Sequence, residues 1–360
     1  MEYRKLGHSG LIVSAISLGT MQFGKAMNLG SLDQDATTKM IKSAMDQGVN
    51  FIDTADVYSR GESETLIGNA LSGIRQNVVL ATKVRLPMSD TDFNRSGATR
   101  VNIRREIEDS LRRLQTDYVD LYQVHGWDKL TPIEETLRTF DDLVREGKVR
   151  YIGLSNYFAW QAAVALGIQH QERLERFVTA QLYYSLVGRG LENDWMQFAE
   201  YADLGILVWS PLAGGYLSGK YKRGEHAPIG TRFSEAGQFV PFDEAQGERV
   251  LYVLRQIAVR HHVSPARTAI AWILGRPFVS SVIVAARTID HLKDNIAAID
   301  LKLTPEDADE LDRVSDPGVP YPKWMVLQLN EGEDPRPKVL DPKKYAKGEP
   351  WQDLRGKKKW

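Results

Sequence analysis

Residues 118–156 read YVDLYQVHGWDKLTPIEETLRTFDDLVREGKVRYIGLSN, and this stretch contains a complete strand-helix-strand pattern. The runs YVDLYQVHG and YIGLSN at its ends are short and largely apolar, which is typical of parallel strands that are covered on both faces. Between them, apolar residues recur at spacings of four, three and four, so they share one face of a helix: Ile133, Leu137, Phe140 and Val144.

The predicted helix has recognisable start and stop signals. We expect Thr131 to be its N-cap, with Pro132 in the first helical position and Glu134 closing a capping box. Gly147 suits the turn that ends it. Two later helices begin with the same signal, at Ser264-Pro265 and Thr304-Pro305.

The same alternation extends in both directions along the chain. Eight such runs occur, namely AISLG, NFIDTA, VVLATKV, YVDLYQVHG, YIGLSN, FVTAQLYYS, ILVWSPLAG and SSVIVAA, with helical patterns between them. Before the first run, residues 3–13 predict a β-hairpin that turns at GHSG. Eight strands alternating with helices over about 300 residues indicate an α/β fold, a (β/α)8 TIM barrel. An open doubly wound sheet is the second choice, and the first run lacks the Gly-rich loop expected of it.

Composition excludes several classes of protein. The 360 residues have a formal net charge of −1, which favours neither nucleic acid nor an acidic membrane surface. The chain has no cysteine, so disulfides, thiolate catalysis and zinc–thiolate sites are excluded, and we expect no metal. No segment resembles a signal peptide or approaches the roughly 18 apolar residues of a membrane span. The sequence therefore predicts a soluble, cytoplasmic protein and leaves its oligomeric state open.

The C-terminal stretch differs from the rest. Seven of the chain's 15 prolines follow Asp316, and the chain ends in GKKKW. Such a composition resists regular structure. We therefore divide the chain into a barrel at residues 1–316 and a Pro/Lys-rich C-terminal extension at residues 317–360.

Polar residues at the ends of the barrel strands are the candidates for chemistry. In a TIM barrel, catalytic groups lie at the C-terminal ends of the strands. Asp53 and His125 end the second and fourth runs, Lys83 interrupts the third, and Tyr58 lies on the loop after Asp53. Taken singly, Asp53 could cap a helix, Tyr58 could pack in a loop, and the histidine could be structural. A lysine inside an apolar strand is costly unless it is paired, and Asp53 is its natural counter-charge.

Together the four groups suit proton donation to a carbonyl oxygen. A free phenol has a pKa near 10, and a neighbouring ammonium stabilises the phenolate and lowers that value. Asp53 would hold Lys83 charged, and His125 would hydrogen-bond the substrate carbonyl. Tyr58 would then act as general acid. No side chain delivers hydride, so this chemistry requires a cofactor.

Later strand ends offer groups that could bind such a cofactor. Ser155, Asn156 and Gln181 supply hydroxyl and amide partners, and Trp209 supplies a flat ring. The Gly-rich turn after Trp209 lets backbone N–H groups approach a pyrophosphate. Its Gly214 to Lys220 spacing is close to a Walker A loop, but a tyrosine follows the lysine and the turn is not in the first βα loop, which argues against an NTPase.

The motifs GLIVSAISLGTMQFG, FIDTADVY, ATKV, LYQVH, IGLSN, WSPLAGGYLSGKY and AARTIDHLKDN, in this order, resemble the aldo-keto reductase superfamily from about residue 3 to residue 315. The resemblance implies a (β/α)8 barrel that binds NAD(P)H and a catalytic tetrad of Asp53, Tyr58, Lys83 and His125. It also implies cofactor contacts from Gly19, Thr20, Met21, Asp53, Ser155, Asn156, Gln181, Trp209, Ser210, Pro211, Leu212, Gly214, Lys220, Arg232, Ala285, Arg287, His291, Asp294 and Asn295. The segments GRGLENDW and YLSGKYKRG are similar to the bacterial and potassium-channel-subunit-like branch.

Some positions depart from the family pattern. Ala285 stands where glycine is usual, His291 replaces a common glutamine, and Asp294 with Asn295 replaces a Glu-Asn pair, which leaves the adenine contacts open. Arg287 and Arg232 favour NADPH over NADH, because a 2′-phosphate attracts arginine.

The sequence predicts a small carbonyl or alcohol substrate in a pocket that includes Met21, Tyr58, His125 and Trp127. The polar loop at residues 85–100 suits a hydroxylated substrate, whereas Trp127 also permits a large aromatic ketone. Two other functions stay open: a Schiff-base lyase that uses Lys83, and a cofactor-binding regulatory subunit resembling potassium-channel β-subunits.

Overall fold

Eight parallel strands close into a barrel, which confirms the predicted TIM-barrel fold. The computed structural model describes residues 1–26, 30–221, 226, 228 and 231–330. The barrel strands are β3 (Ile16–Gly19), β4 (Phe51–Asp53), β5 (Val79–Val84), β6 (Val119–Val124), β7 (Val149–Ser155), β8 (Phe177–Tyr183), β9 (Gly205–Trp209) and β10 (Val279–Val284), and β10 pairs with β3 to close the ring.

The predicted N-terminal hairpin consists of β1 (Tyr3–Lys5) and β2 (Ile12–Ser14), which pair in antiparallel fashion. Its Leu6 and Val13 are fully buried, and they cluster with side chains from inside the barrel. Gly7 has φ +56°, and a Cβ there would lie 2.2 Å from the Val178 carbonyl oxygen, so only glycine fits. The hairpin therefore packs against the closed barrel at the N-terminal ends of the strands.

Helices surround the barrel and bury their apolar faces against the outer side of the strands. In chain order they are α1 (Gln34–Asp46), α2 (Glu62–Ala70), α3 (Arg100–Leu114), α4 (Ile133–Arg145), α5 (Ala159–Glu172), α6 (Trp195–Ala202), α7 (Arg232–Ala236), α8 (Glu244–Arg260), α9 (Pro265–Leu274), α10 (Ile289–Ile296), α11 (Pro305–Val314) and α12 (Lys323–Asn330).

The helix starts agree with the sequence in two cases and differ in one. Ser264 and Thr304 cap α9 and α11 through their side chains, as expected. The expected capping box of α4 is wrong: the N-cap is Pro132, with no side-chain cap bond. The Thr131 hydroxyl instead donates to the Asp128 carboxylate over 2.6 Å. This bond to a charged acceptor orients the Thr131 hydroxyl toward Asp128 and not toward the first turn of α4.

The described part of the C-terminal extension contains α12 and packs on the barrel. Lys323 donates through its Nζ to the Glu192 carbonyl oxygen over 2.8 Å, which ties α12 to the loop after β8. Residues 331–360 of the predicted extension lie outside the described residues. In the described part of the chain, every helix is too short or too polar to cross a lipid bilayer.

Candidate active site

Four side chains predicted to act together meet at the C-terminal rim of the barrel. Lys83 Nζ donates to Asp53 Oδ1 over 2.5 Å and to the Thr54 carbonyl oxygen over 2.7 Å. The same Nζ lies 3.4 Å from Tyr58 Oη. The imidazole of His125 meets the edge of the Tyr58 ring, with ring centroids 6.0 Å apart. The arrangement places a phenol, an ammonium and an imidazole around one point.

Lys83 is fully buried and carries its charge. Burial alone would lower the pKa of this ammonium, but the Asp53 carboxylate and Tyr58 oppose burial and raise the pKa above its usual value. The strand supplies this geometry, because β5 aligns Ala81 with Asp53 of β4, which puts Lys83 one pleat further toward the rim. A permanent cation therefore lies beside the Tyr58 oxygen.

Asp53 is held by two amides as well as by Lys83. Its Oδ2 accepts from Gln123 Nε2 over 3.2 Å and from Gln181 Nε2 over 2.8 Å. Gln181 was predicted to contact a cofactor, and in this structure its amide N–H is directed at Asp53. The role of Gln123 was not predicted. Its position in the sequence could have indicated it, because Gln123 alternates with Leu121 and with His125 just after β6, and alternate residues of a strand share one face.

His125 is half-buried and directly follows β6. Burial first, and then the positive charges of Lys83 and Arg85, lower the pKa of this imidazole well below its usual value. The ring is therefore neutral near pH 7, with one N–H donor and one acceptor nitrogen. Its Nδ1 has no hydrogen-bond partner within the described residues. A neutral imidazole of this kind is suited to donate a hydrogen bond to a carbonyl.

A strained turn presents Tyr58. Ser59 and Arg60 have φ of 49° and 53°, and Gly61 has φ +90° before α2 begins. The Ser59 hydroxyl donates to the Phe23 carbonyl oxygen over 3.0 Å. At the base of the turn, Asp56 accepts from the Val57 N–H over 2.6 Å. These contacts fix the left-handed residues, which are costly without such support.

Buried acids lie behind this turn. Glu64 accepts from Thr82 Oγ1 over 2.5 Å and from Arg113 Nε over 2.6 Å. Burial, together with the charges of Glu64 and Glu106, raises the pKa of Asp56 well above its usual value. Asp56 is therefore favoured as a neutral acid, which limits the repulsion among these carboxyls.

Residues at the ends of β7 and β9 form a hydrogen-bonded chain that leads to His125. Trp209 Nε1 donates to Asn156 Oδ1 over 3.0 Å. Asn156 Nδ2 in turn donates to Ser155 Oγ over 2.9 Å and to the His125 carbonyl oxygen over 3.2 Å. The Trp209 ring also packs on Tyr183, with centroids 5.1 Å apart. The structure thus brings three predicted cofactor residues together and fixes the plane of the indole.

On the other side of the tetrad, β3 ends at Gly19. A Cβ at Gly19 would lie 2.7 Å from Ile283 Cγ2, so this strand end is tightly packed. Thr20 Oγ1 donates to the Asp53 carbonyl oxygen over 3.0 Å, and Met21 follows at the rim. The predicted Gly19-Thr20-Met21 segment therefore borders Asp53.

The turn after β9 has an unusual backbone. Ser210 and Ala213 have φ of 53° and 48°, and Gly214 and Gly215 also have positive φ. Ser210 Oγ accepts from the Gly214 N–H over 3.0 Å. The Ala213 and Gly215 N–H groups also donate within the turn, to the carbonyl oxygens of Ser210 and Leu212, so these predicted pyrophosphate donors are already used. The remaining predicted residues of this segment lie in or just after the turn: Pro211, Leu212 and Lys220.

At the predicted adenosine end, the charged residues are paired with each other. Arg287 forms an ion pair of 2.5 Å with Glu235 of α7. Asp294 on α10 pairs with Arg267 over 2.7 Å. Neither Glu235 nor Arg267 was predicted, because both partners come from distant segments. The side chain of Arg232 lies outside the described residues.

The other predicted residues at this end serve the helix itself. The backbone N–H of His291 donates to the N-cap Thr288 Oγ1, and Asn295 Nδ2 donates to the Ala285 carbonyl oxygen over 3.4 Å. The first bond caps α10 itself, and the second attaches α10 to the residue that follows β10.

Aromatic residues border the mouth of the barrel beside the tetrad. The predicted pocket residue Trp127 contacts Tyr157 edge-on, with centroids 5.1 Å apart, and also approaches Trp160. An open cavity of about 840 Å³ adjoins this wall. It extends from the ends of β7 and β8 to the C-terminal extension, with a lining that includes Tyr157, Tyr183, Trp195, Tyr321 and Leu327.

Comparison with known proteins finds a matching family model and several similar proteins. A sequence model described as the Aldo/keto reductase family matches residues 15–316. The uncharacterized oxidoreductase YrpG of Bacillus subtilis (strain 168) is 37% identical, over 85% of this chain and 93% of its own length. Protein tas of Escherichia coli (strain K12) is 35% identical over 87% and 97%. A putative voltage-gated potassium channel subunit beta of Schizosaccharomyces pombe is 34% identical over 87% and 92%.

Proposed function

Because this chain belongs to the aldo/keto reductase family, and is therefore an aldo-keto oxidoreductase, we propose that it reduces aldehydes or ketones with NADPH. The observation that carries the proposal is the buried Lys83–Asp53 pair with Tyr58 Oη 3.4 Å from the ammonium. This arrangement suits a general acid for a carbonyl oxygen. A cytoplasmic location is part of the proposal, because a cysteine-free chain suits a reducing compartment.

In the proposed mechanism, Tyr58 gives its phenolic proton to the carbonyl oxygen as negative charge develops there. The Lys83 ammonium stabilises the phenolate that remains, and Asp53 holds the ammonium in place. The neutral imidazole of His125 donates a hydrogen bond to the same oxygen and orients the carbonyl. When bound, a nicotinamide cofactor supplies the hydride. For alcohol oxidation, Tyr58 accepts the proton as a phenolate.

The residues around the tetrad fit a nicotinamide dinucleotide. The Trp209 ring is held in plane by Asn156, as a stacking platform requires. The left-handed turn at residues 210–215 directly follows Trp209, and the Lys220 ammonium beside Gly215 supplies a cation for a pyrophosphate. Arg287 lies just before α10, so a phosphate there would also meet the N-terminal end of a helix.

Arg287 is the proposed determinant of NADPH preference. Arg287→Ala should lower the ratio of kcat/KM for NADPH to that for NADH by about 10- to 100-fold, because a charge-assisted contact with phosphate contributes about 1.5–3 kcal/mol. Fluorescence titration should show a matching loss of NADPH affinity. Arg260→Ala is the control, since Arg260 is 49% exposed and pairs with Asp307. Equal use of both cofactors by the parent enzyme would contradict the charge argument.

The alternative of a Schiff-base lyase is disfavoured by the state of Lys83. A nucleophilic lysine must be neutral, whereas the pairing of Lys83 with Asp53 raises its pKa. Borohydride trapping in the presence of a carbonyl compound tests this directly. A covalent adduct on Lys83 would replace the reductase proposal with the lyase.

A regulatory role is the second candidate, because one relative is described as a putative potassium channel subunit. Turnover separates the two functions. We expect NADPH oxidation on a panel of generic aldehydes. Tight cofactor binding without turnover on any of them would favour the regulatory role.

A further inference from the structure

We propose that Arg85 binds a carboxylate on the substrate, so that the enzyme prefers oxo acids to neutral carbonyl compounds. This inference rests on the proposed reductase function and names its substrate class.

Arg85 lies at the rim of the barrel, two residues beyond Lys83. Strand β5 ends at Val84, and Arg85 has φ +134°, a region that residues with a Cβ rarely adopt. Its carbonyl oxygen accepts from the Gly97 N–H over 2.8 Å, which closes the loop at residues 85–100. Such a conformation is costly, and strained residues of this kind cluster at ligand sites.

The guanidinium of Arg85 makes few polar contacts. The side chain is half-buried and donates through Nη2 to the Trp127 carbonyl oxygen over 3.2 Å. Its Nε is buried without a partner. Among the described residues, no carboxylate lies within 4.0 Å of Arg85, whereas many other arginines of the barrel have one. An arginine is always charged, and burying part of an unpaired charge costs free energy that a bound anion would recover.

Asp128, on the loop that also contains Trp127, already accepts three hydrogen bonds. Its Oδ2 accepts from the Ala98 N–H over 2.8 Å and from Thr131 Oγ1 over 2.6 Å, and its Oδ1 accepts from the Leu130 N–H over 3.0 Å. These bonds shape the loops on either side of the pocket. Burial would raise the pKa of Asp128, but these hydrogen bonds, and then the charge of Arg85, outweigh burial and lower that pKa. The same charge contributes to the low pKa of His125, after burial and Lys83. The Trp127 carbonyl oxygen that accepts from Arg85 Nη2 is two residues beyond His125, so the guanidinium lies beside the loop that follows His125.

The chemistry of the guanidinium favours a carboxylate. Its planar fork matches the two oxygens of a carboxylate, and a single cation balances a single negative charge. Lys83 and Arg85 are two residues apart along the chain, so their Cα atoms are at most about 7 Å apart. A carboxylate a few carbons from the carbonyl spans this distance, so an oxo acid with a chain of about five carbons should fit best.

The experiment compares ω-oxocarboxylates of two to six carbons with neutral n-alkanals of the same length. We expect the parent enzyme to prefer 5-oxopentanoate to pentanal in kcat/KM, mainly through KM. Arg85→Gln should lower this preference by about 10- to 100-fold, the loss of a charge-assisted hydrogen bond. Arg85→Lys should retain part of it as a point charge. Arg138→Gln, which removes an exposed cation paired with Glu172 on the outer helices, should leave the preference unchanged.

A binding measurement avoids dependence on turnover. Glutarate has the carboxylates but no carbonyl, and it should bind the parent enzyme with NADP⁺ present, as seen by calorimetry, and bind Arg85→Gln at least tenfold more weakly. If the parent reduces pentanal and 5-oxopentanoate equally well, or if Arg85→Gln leaves their ratio unchanged, the inference is wrong while the reductase proposal stands. If no carbonyl compound is reduced at all, the proposed function fails first.

Discussion

Tyr58→Phe is expected to lower kcat for aldehyde reduction by about a thousandfold, within the range that general acid catalysis contributes. The variant keeps the ring, which contacts His125 and lies 4.9 Å from Lys83 Nζ, and removes only the oxygen that donates the proton. Steady-state NADPH oxidation measures the loss. The loss should appear in kcat, because Tyr58 interacts with the negative charge that develops on the carbonyl oxygen in the transition state.

Two controls isolate the proton transfer. NADPH affinity, measured by fluorescence titration, should be unchanged in Tyr58→Phe, since no proposed cofactor contact uses the phenol. Tyr252→Phe makes the same chemical change at a residue that is 64% exposed on α8, and its kcat should equal that of the parent. Turnover of a good aldehyde by Tyr58→Phe at the parental rate would show that another group is the acid.

Lys83→Met should reduce both stability and activity. Removing the ammonium leaves the Asp53 carboxylate buried without its cation, which costs about 3–5 kcal/mol in the free energy of unfolding. Activity should fall by about a hundredfold or more, because the phenolate of Tyr58 loses its stabilising charge. Urea denaturation measures the first effect, and kcat for a generic aldehyde measures the second.

The double variant Asp53→Asn/Lys83→Met separates the two effects. With both charges gone, no buried ion remains unpaired, so most of the stability should return. The activity should not return, because no cation lies beside Tyr58. If stability and kcat recover together in the double variant, the role of Lys83 is structural and the proposed mechanism fails.

The barrel and the four rim residues could be predicted because both signals are local in the sequence. Strand runs and helix patterns repeat along the chain, and a residue at a strand end must reach the rim once the barrel closes. Lys83 stands out by itself, since an ammonium in the apolar strand ATKV requires a partner. The order of the motifs indicated the protein family, and the family model that matches residues 15–316 confirmed it.

Other features depend on pairings that no local signal reveals. Asp53 accepts from Gln181, which is 128 residues away, and the alternation of β8 says only that Gln181 faces inward. Arg287 meets Glu235 and Asp294 meets Arg267, so the charges predicted for the adenosine end are balanced within the protein. These contacts depend on how separate loops meet, and loop geometry is weakly encoded by composition.

The sequence by itself indicated the fold through its periodicity, which depends on neighbouring residues, and the family through motifs that resemble it. It also predicted the four rim residues from their positions at or near strand ends. The tertiary structure decided which of these groups are charged and what holds them. Burial and charge make His125 neutral and keep Lys83 an ammonium, and both depend on the whole barrel around them. It also decided that Arg85 bonds the Trp127 carbonyl oxygen and has no carboxylate within 4.0 Å among the described residues, since only the folded loops show where Asp128 is used.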